Sequence, residues 1–221
     1  MTYRFDFSVL LPYWEIFLRG CVMTLILATV STVIGLLLGL LTVLAKRCRF
    51  LVLRKLATVY VEVIRNTPFL VQVLFIFFGL PELGISLSPQ TAAVLALSLN
   101  LGAFSAEIIR GGIDAIPRGQ AEAGAALGLS PLQTFGYVIL KPALRVIFPA
   151  LSGQFVLLLL TTSIVSSISA EELTAAQSVD SLTFRSFEVY IGTTLLYFLM
   201  SMVFALAFKA INRACFSYPS K

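Results

Sequence analysis

Residues 107–145 read EIIRGGIDAIPRGQAEAGAALGLSPLQTFGYVILKPALR. The stretch lies between two long apolar runs, yet it is polar, long and rich in Gly and Ala. A connector between membrane helices needs only a few residues, so one of this length has a task of its own. Local signals predict two short helices within it. Asp114 is placed to cap the first, with Pro117 near its first turn and Gly128 near its end. Ser130-Pro131-Leu132-Gln133 then reads as N-cap, Pro at N1 and Gln at N3, a capping box opening the second helix. Lys141-Pro142 is expected to break that helix before the next apolar run. The first short helix, 117–128, has little apolar bulk. Ala121, Ala123, Ala125 and Ala126 make it slim, Gly119, Gly124 and Gly128 allow close backbone approach, and Glu122 is its one acid. Such a rod suits a groove on another protein. It also suits an amphipathic connector lying on a membrane surface.

Working outward, the chain as a whole is apolar. Of 221 residues, 58% are hydrophobic and 12% charged, whereas soluble domains carry about a quarter charged residues. This predicts an all-α membrane protein with a single transmembrane domain over 1–221. Residues 20–45 hold no charge and exceed the roughly 20 residues that cross a bilayer core as helix. Gly35 and Gly39 form a small-xxx-small face for close helix packing. A second helix fits 57–80, loosened or kinked at Pro68. Ser88-Pro89 caps a third, which closes with Glu107 and Arg110. A fourth uncharged run covers 146–170, with a hydroxyl-rich second half, and a fifth covers 189–208. The first 19 residues, with scattered charges among aromatics from Tyr3 to Phe17, read as an interfacial segment and not as a cleavable signal.

Charge sets the direction of five such spans. Lys46, Arg47, Arg49, Arg54, Lys55, Arg110, Arg118, Lys141, Arg145, Lys209, Arg213 and Lys221 collect on one side, whereas Arg4, Arg19 and Arg185 share the other with most of the acids. By the positive-inside rule the N-terminus is outside, and the C-terminus and the 107–145 loop are cytoplasmic.

No enzymatic constellation emerges. Histidine is absent, which removes the commonest general base and metal ligand. There is no GxxxxGK[ST] phosphate loop. Cys21, Cys48 and Cys215 are isolated and suggest neither disulfide nor metal. Glu62, Arg65, Glu107 and Arg110 are the charges nearest the bilayer. Glu62–Arg65 and Glu107–Arg110 are i,i+3 pairs, which either seat the helices or line a substrate path. Thr162, Ser163 and Ser166 either hydrogen-bond a zwitterion or bond back to their own helix. No basic patch interleaved with aromatics suggests nucleic acid.

The order Gly119-Gln120, Glu122-Ala123, Gly128, Leu140, Ala143 and Arg145 resembles the EAA loop of bacterial ABC importer permeases, most closely the polar amino acid branch. Two departures occur. Gly124 stands where the family has a third alanine, lowering helix propensity by about 1 kcal/mol, and the proline of Leu140-Lys141-Pro142-Ala143 is displaced by one. Tyr60 to Pro68, with Asn66 for the usual Gly, and Ala106 to Ile113 resemble further family segments. So does Thr162-Ser163-Ile164-Val165-Ser166, although Thr161 replaces an acid found in many relatives.

The resemblance spans Gly20 to about Lys209. It implies the type I importer permease fold and a transport subunit of the bacterial cytoplasmic membrane that is not itself an enzyme. The loop helix, through Gly119, Glu122, Ala123, Gly124 and Gly128, would seat in one of two separate ATPase subunits. ATP and Mg²⁺ would belong to those partners, with no cofactor in this chain. A second permease, identical or homologous, and an extracytoplasmic solute-binding protein near 171–188 complete the implied assembly. Glu62, Arg65, Asn66, Thr162, Ser163 and Ser166 are the candidate substrate path. The alternative is an ion-coupled secondary amino acid transporter, against which stand the long loop and the lack of an inverted repeat.

Overall fold

The computed structural model describes residues 4–216, and among them every regular element is helical. Tyr3 and Lys221, used above in reading the two ends, lie outside the described residues. A 3₁₀ turn, Phe7–Tyr13, runs directly into α1, Trp14–Arg47. The first helix thus begins ahead of residue 20, and the last part of the expected interfacial segment, residues 14–19, belongs to it. No Gly or Pro interrupts 14–19, and the helix simply continues outward through the aromatics.

α1 buries a stripe of mostly small residues: Gly20, Thr24, Ala28, Ser31, Gly35 and Gly39. Their spacing of three and four keeps them on one face. The N-terminal end of that face, Gly20 and Thr24, meets the Leu173 backbone, and from Gly35 to Gly39 the face packs on α4, Pro89–Asp114, which answers with small residues such as Ala96, Gly102 and Ala106. A Cβ on Gly39 would come within 2.8 Å of the Ser105 Cβ and 3.1 Å of the Gly102 carbonyl. The two backbones therefore approach as closely as the small-xxx-small pattern predicts. Large apolar residues on the other faces, such as Leu37, Leu41 and Leu44, are exposed. This inverted distribution, small inside and large outside, is that of a protein solvated by lipid.

The second helix is two pieces. α2, Leu51–Arg65, and α3, Phe69–Leu74, meet at a 112° bend across Asn66–Pro68. α3 continues as a π turn, Phe75–Gly79, and a 3₁₀ turn, Leu80–Leu83. Pro68 lacks the N–H that would extend α2. The freed groups are then satisfied by Gln72, whose amide donates to the Ile64 carbonyl at 2.7 Å and the Thr67 carbonyl at 3.1 Å. Asn100 of α4 donates to the other end of that amide at 3.1 Å. What was expected as one kinked helix is a sharp break held by a buried side chain.

After α4 come α5, Arg118–Ala126, and α6, Pro131–Thr134. Lys141-Pro142 does not end the second of these. A π turn, Phe135–Ile139, widens the coil just upstream of Pro142, and the helix runs on as α7, Leu140–Thr161, then a 3₁₀ segment, Thr162–Ile168. The extra residue in a π turn displaces the carbonyls that the proline ring would otherwise strike. A 3₁₀ turn, Leu173–Gln177, and α8, Ser178–Thr183, lead to α9, Ser186–Phe216. Among the described residues four helices are long and apolar enough to cross a membrane, and the bent pair makes a fifth if it counts as one span.

The two ends of the bundle are chemically distinct. At one, Arg19 pairs with Glu171 at 2.9 Å, Arg185 with Glu188 at 3.4 Å, and the Asp6 N–H donates to Glu188 at 3.0 Å. At the other, the end of α1 meets the end of α4 through Lys46–Glu107 and Arg47–Asp114. This is the partition that the charge count gave. Cys21, Cys48 and Cys215 are free.

Candidate functional site

The α5–α6 hairpin projects from the second of these ends, and its geometry follows from its caps. Pro117, not Asp114, occupies the N-cap position of α5. Asp114 is the last residue of α4, and its carboxylate is held by Arg47 at 3.2 Å and Arg110 at 3.0 Å. At the other end of α5, Gly128 has φ +75°. Its N–H donates to Ala125 at 2.9 Å, and that of Leu129 to Gly124 at 3.1 Å, the paired bonds of a Schellman C-cap. Only glycine adopts that φ without cost. The Ser130 capping box is present in full, with Gln133 accepting the Ser130 N–H at 2.9 Å.

One face of α5 is used within the chain. Gly124 is buried, and a Cβ there would lie 2.6 Å from Cγ2 of Thr134. Its absence of a side chain therefore serves the contact with α6. Glu122, Ala123, Ala125 and Ala126 face outward and Gly119 is open. Beside them Leu127 is 79% exposed, Leu132 82% and Tyr137 78%. The hairpin thus presents a slim alanine ridge flanked by large uncovered apolar side chains, with one acid.

Beneath the hairpin lies a charge cluster centred on Glu107, whose side chain is 18% exposed. Lys46 approaches it at 2.7 Å, Arg110 at 2.7 Å and Arg65 at 4.0 Å. The Arg65 guanidinium also lies 5.4 Å from the centroid of Phe104. The expected Glu107–Arg110 pair is therefore present, and Glu62–Arg65 is not. Arg65 turns to α4, where a carboxylate and an aromatic face are both within reach, and Glu62 stays exposed without an ion pair among the described residues. Asn66 ends α2 and donates to the Glu62 carbonyl at 2.8 Å.

The hydroxyls of the 3₁₀ segment bond back to their own helix. Thr162 donates to Leu159 at 2.7 Å, Ser163 to Leu160 at 2.8 Å and Ser166 to Ser163 at 2.7 Å. Thr162 is buried, and the two serines are half-buried. This segment packs against α3 and shares a core cluster, Val165, Ile168, Val73 and Ile76, with it and the π turn that follows, so the two stretches of irregular helix meet.

Sequence reasoning missed Gln72 and Asn100, although a glutamine four residues past a proline in an apolar run is a signal. It also gave Glu172 no role of its own. Glu172 is fully buried and accepts from Tyr197 and Thr174. Burial pushes its carboxyl up despite those donors. It is a packing element of the 171–188 segment, and Glu171 is the exposed acid there.

A family model described as "Binding-protein-dependent transport system inner membrane component" matches residues 31–216. The chain belongs to that family. The family's members are permeases of ABC importers, and the chain is a multi-pass membrane protein. It is 36% identical to the glutamine transport system permease protein GlnP of Escherichia coli K12, over 95% of this chain and 97% of that one. It is also 36% identical to the L-cystine transport system permease protein TcyB of Bacillus subtilis, over 95% and 90%. Among solved structures, a chain from the "Crystal structure of an amino acid ABC transporter with histidines" superposes with a TM-score of 0.91 at 38% identity, covering 96% of this chain and 100% of that one. A more distant chain, from the MetNI methionine ABC transporter, shares the fold with a TM-score of 0.76 at 23% identity.

Proposed function

We propose that this chain is one of a pair of permease subunits in an ATP-driven importer of a polar amino acid in the bacterial cytoplasmic membrane. The family supplies the class, and relatives named for glutamine and cystine supply the substrate chemistry. The observation that carries the reading is the α5 hairpin. Its inner face is closed on its own chain by Gly124 and Thr134, and its outer face offers Glu122, Ala123, Leu127 and Leu132 to a groove elsewhere. In this reading five spans cross the membrane, with the N-terminus outside and the C-terminus and hairpin in the cytoplasm. Each hairpin seats in one of two ATPase subunits, which hold ATP and Mg²⁺. The partner permease is a copy or a homologue, and a solute-binding protein delivers substrate near 171–188.

The pathway runs along the paired irregular segments. Non-helical backbone at membrane depth is tolerated where it faces protein or a wet cavity, and the bend at Asn66–Pro68 and the turn at Thr162–Ile168 are two such places. Ser163 and Ser166, half-buried there, keep lone pairs that accept from an ammonium group, whereas Thr162 is closed off within the chain. Arg65, tied to Glu107, moves with the inner end of α4. Glu62 stands at the rim.

Gly128→Asp tests the coupling role. A left-handed φ and a carboxylate beside the ridge should cut substrate-stimulated ATP hydrolysis in the assembled complex by at least about tenfold, given a backbone cost of roughly 1–2 kcal/mol plus lost seating. Membrane insertion should be unchanged. Stimulated hydrolysis at the unsubstituted level would remove the hairpin from the mechanism.

A further inference from the structure

A groove of about 250 Å³ opens between α7 and α9 near the end of the bundle that carries the α5 hairpin. Ser152, Gly153 and Val156 form one wall, and Ala205, Lys209 and Asn212 the other. Each set falls on one helix face by its spacing of three and four. Nothing lies within 4 Å of the position a Gly153 Cβ would take, so the groove is open because both walls carry small residues at its centre. Phe208 closes its floor, edge-on to Phe155 with centroids 5.3 Å apart.

The polar groups of this groove keep hydrogen-bonding capacity. Asn212 Oδ1 is buried with no hydrogen-bond partner. Ser152 donates to the Phe148 carbonyl at 2.7 Å and keeps its lone pairs. Lys209 makes no ion pair among the described residues, and no acid lines the groove. At about 1.5 Å per residue, the stretch from Ser186 to Lys209 runs about 35 Å, slightly more than an apolar bilayer core of about 30 Å. Lys209, Asn212 and Arg213 thus fall at headgroup level, with Val156 and Ala205 toward the acyl chains.

We propose that this groove binds the headgroup of one anionic phospholipid, of the hydroxylated phosphoglycerol type. Lys209 meets the phosphate. Asn212 Oδ1 and Ser152 Oγ accept from the headgroup hydroxyls, and one acyl chain lies along Val156 and Ala205. A cationic pocket between spans at the membrane surface is the setting in which such headgroups bind. The site is separate from the hairpin and from the pathway, so it stands or falls independently of the importer reading.

The test is native mass spectrometry of the detergent-purified full chain titrated with phosphatidylglycerol, phosphatidylcholine or inorganic phosphate. The expected result is preferential retention of one phosphatidylglycerol. Lys209→Gln should weaken it about fivefold, the value of one cation near a lipid surface. Gly153→Leu, which fills the groove without changing charge, should remove it at an unchanged melting temperature. Equal retention of the two lipids, or phosphatidylglycerol binding indifferent to both substitutions, would overturn the proposal. Displacement of the lipid by equimolar inorganic phosphate would also overturn it, by showing a free-anion site.

Discussion

Gly39→Leu is expected to abolish accumulation of folded protein. A Cβ at this position would already sit 2.8 Å from the Ser105 Cβ, 3.1 Å from the Gly102 carbonyl and 3.2 Å from the Ala106 nitrogen. Two of these three neighbours are backbone atoms of α4, which cannot rotate aside. The helices would have to separate, and separation also opens the contact of Gly35 with Leu101 one turn away. A single added methyl in a packed interior costs about 1–3 kcal/mol, and leucine adds three more carbons at the same place. Lipid offers no hydrophobic penalty to hold the pair together, because association in a bilayer rests on close contact itself. Gly111→Ala is the matched control: it lies in the same α4 with nothing within 4 Å and should be neutral or slightly stabilising. Thermal unfolding in detergent reads both, and a Gly39→Leu protein with an unchanged melting temperature would refute the packing account.

Glu107→Lys should be nearly as damaging, for an electrostatic reason. Glu107 and Lys46 are each 18% exposed and 2.7 Å apart, and Arg110 and Arg65 approach the same carboxylate. Charge reversal leaves four cations converging, with Lys46 and position 107 part-buried and Arg65 and Arg110 over 40% exposed. The pair is part-buried, so solvent screening brings the loss below the roughly 3–5 kcal/mol of a fully buried pair, and a new like charge adds to it. The cluster joins α1, α2 and α4 at the foot of the hairpin, so the effect should reach the orientation of α5. Glu107→Gln should be milder, and Lys46→Glu should partly restore the Glu107→Lys protein. If the double variant melts no higher than the single one, the pairing is not what holds this end.

The residues that sequence reasoning placed well are those whose partners are near in the chain. The Ser130 capping box and the Ser88 cap, in which Ser88 accepts from the Thr91 N–H at 3.2 Å, depend on three-residue spacings. Gly128 at the end of α5 depends on a local φ. The charge partition between the two ends held because it sums many residues. What was illegible depends on tertiary partners. Glu62 and Arg65 have the spacing of a pair, but Arg65 finds a better carboxylate on another helix. Asp114 has the identity of a cap, but two arginines claim it. Pro142 should stop a helix, yet a π turn upstream absorbs it. Pro68 signalled a kink, and the 112° break also carries the hydrogen bonds of Gln72 and Asn100, whose partners lie elsewhere in the fold. Gly124 read as a weakness in a docking helix, and its reason is Thr134.

The central claim is that this chain moves its substrate by work done in a separate ATPase. It is tested most directly by radiolabelled amino acid uptake into proteoliposomes holding the complete complex, with the binding protein and substrate outside and nucleotide enclosed. The account predicts accumulation that requires enclosed ATP and Mg²⁺ and survives ionophores that collapse every ion gradient. Accumulation driven by a proton or sodium gradient without ATP, by this chain alone, would contradict it.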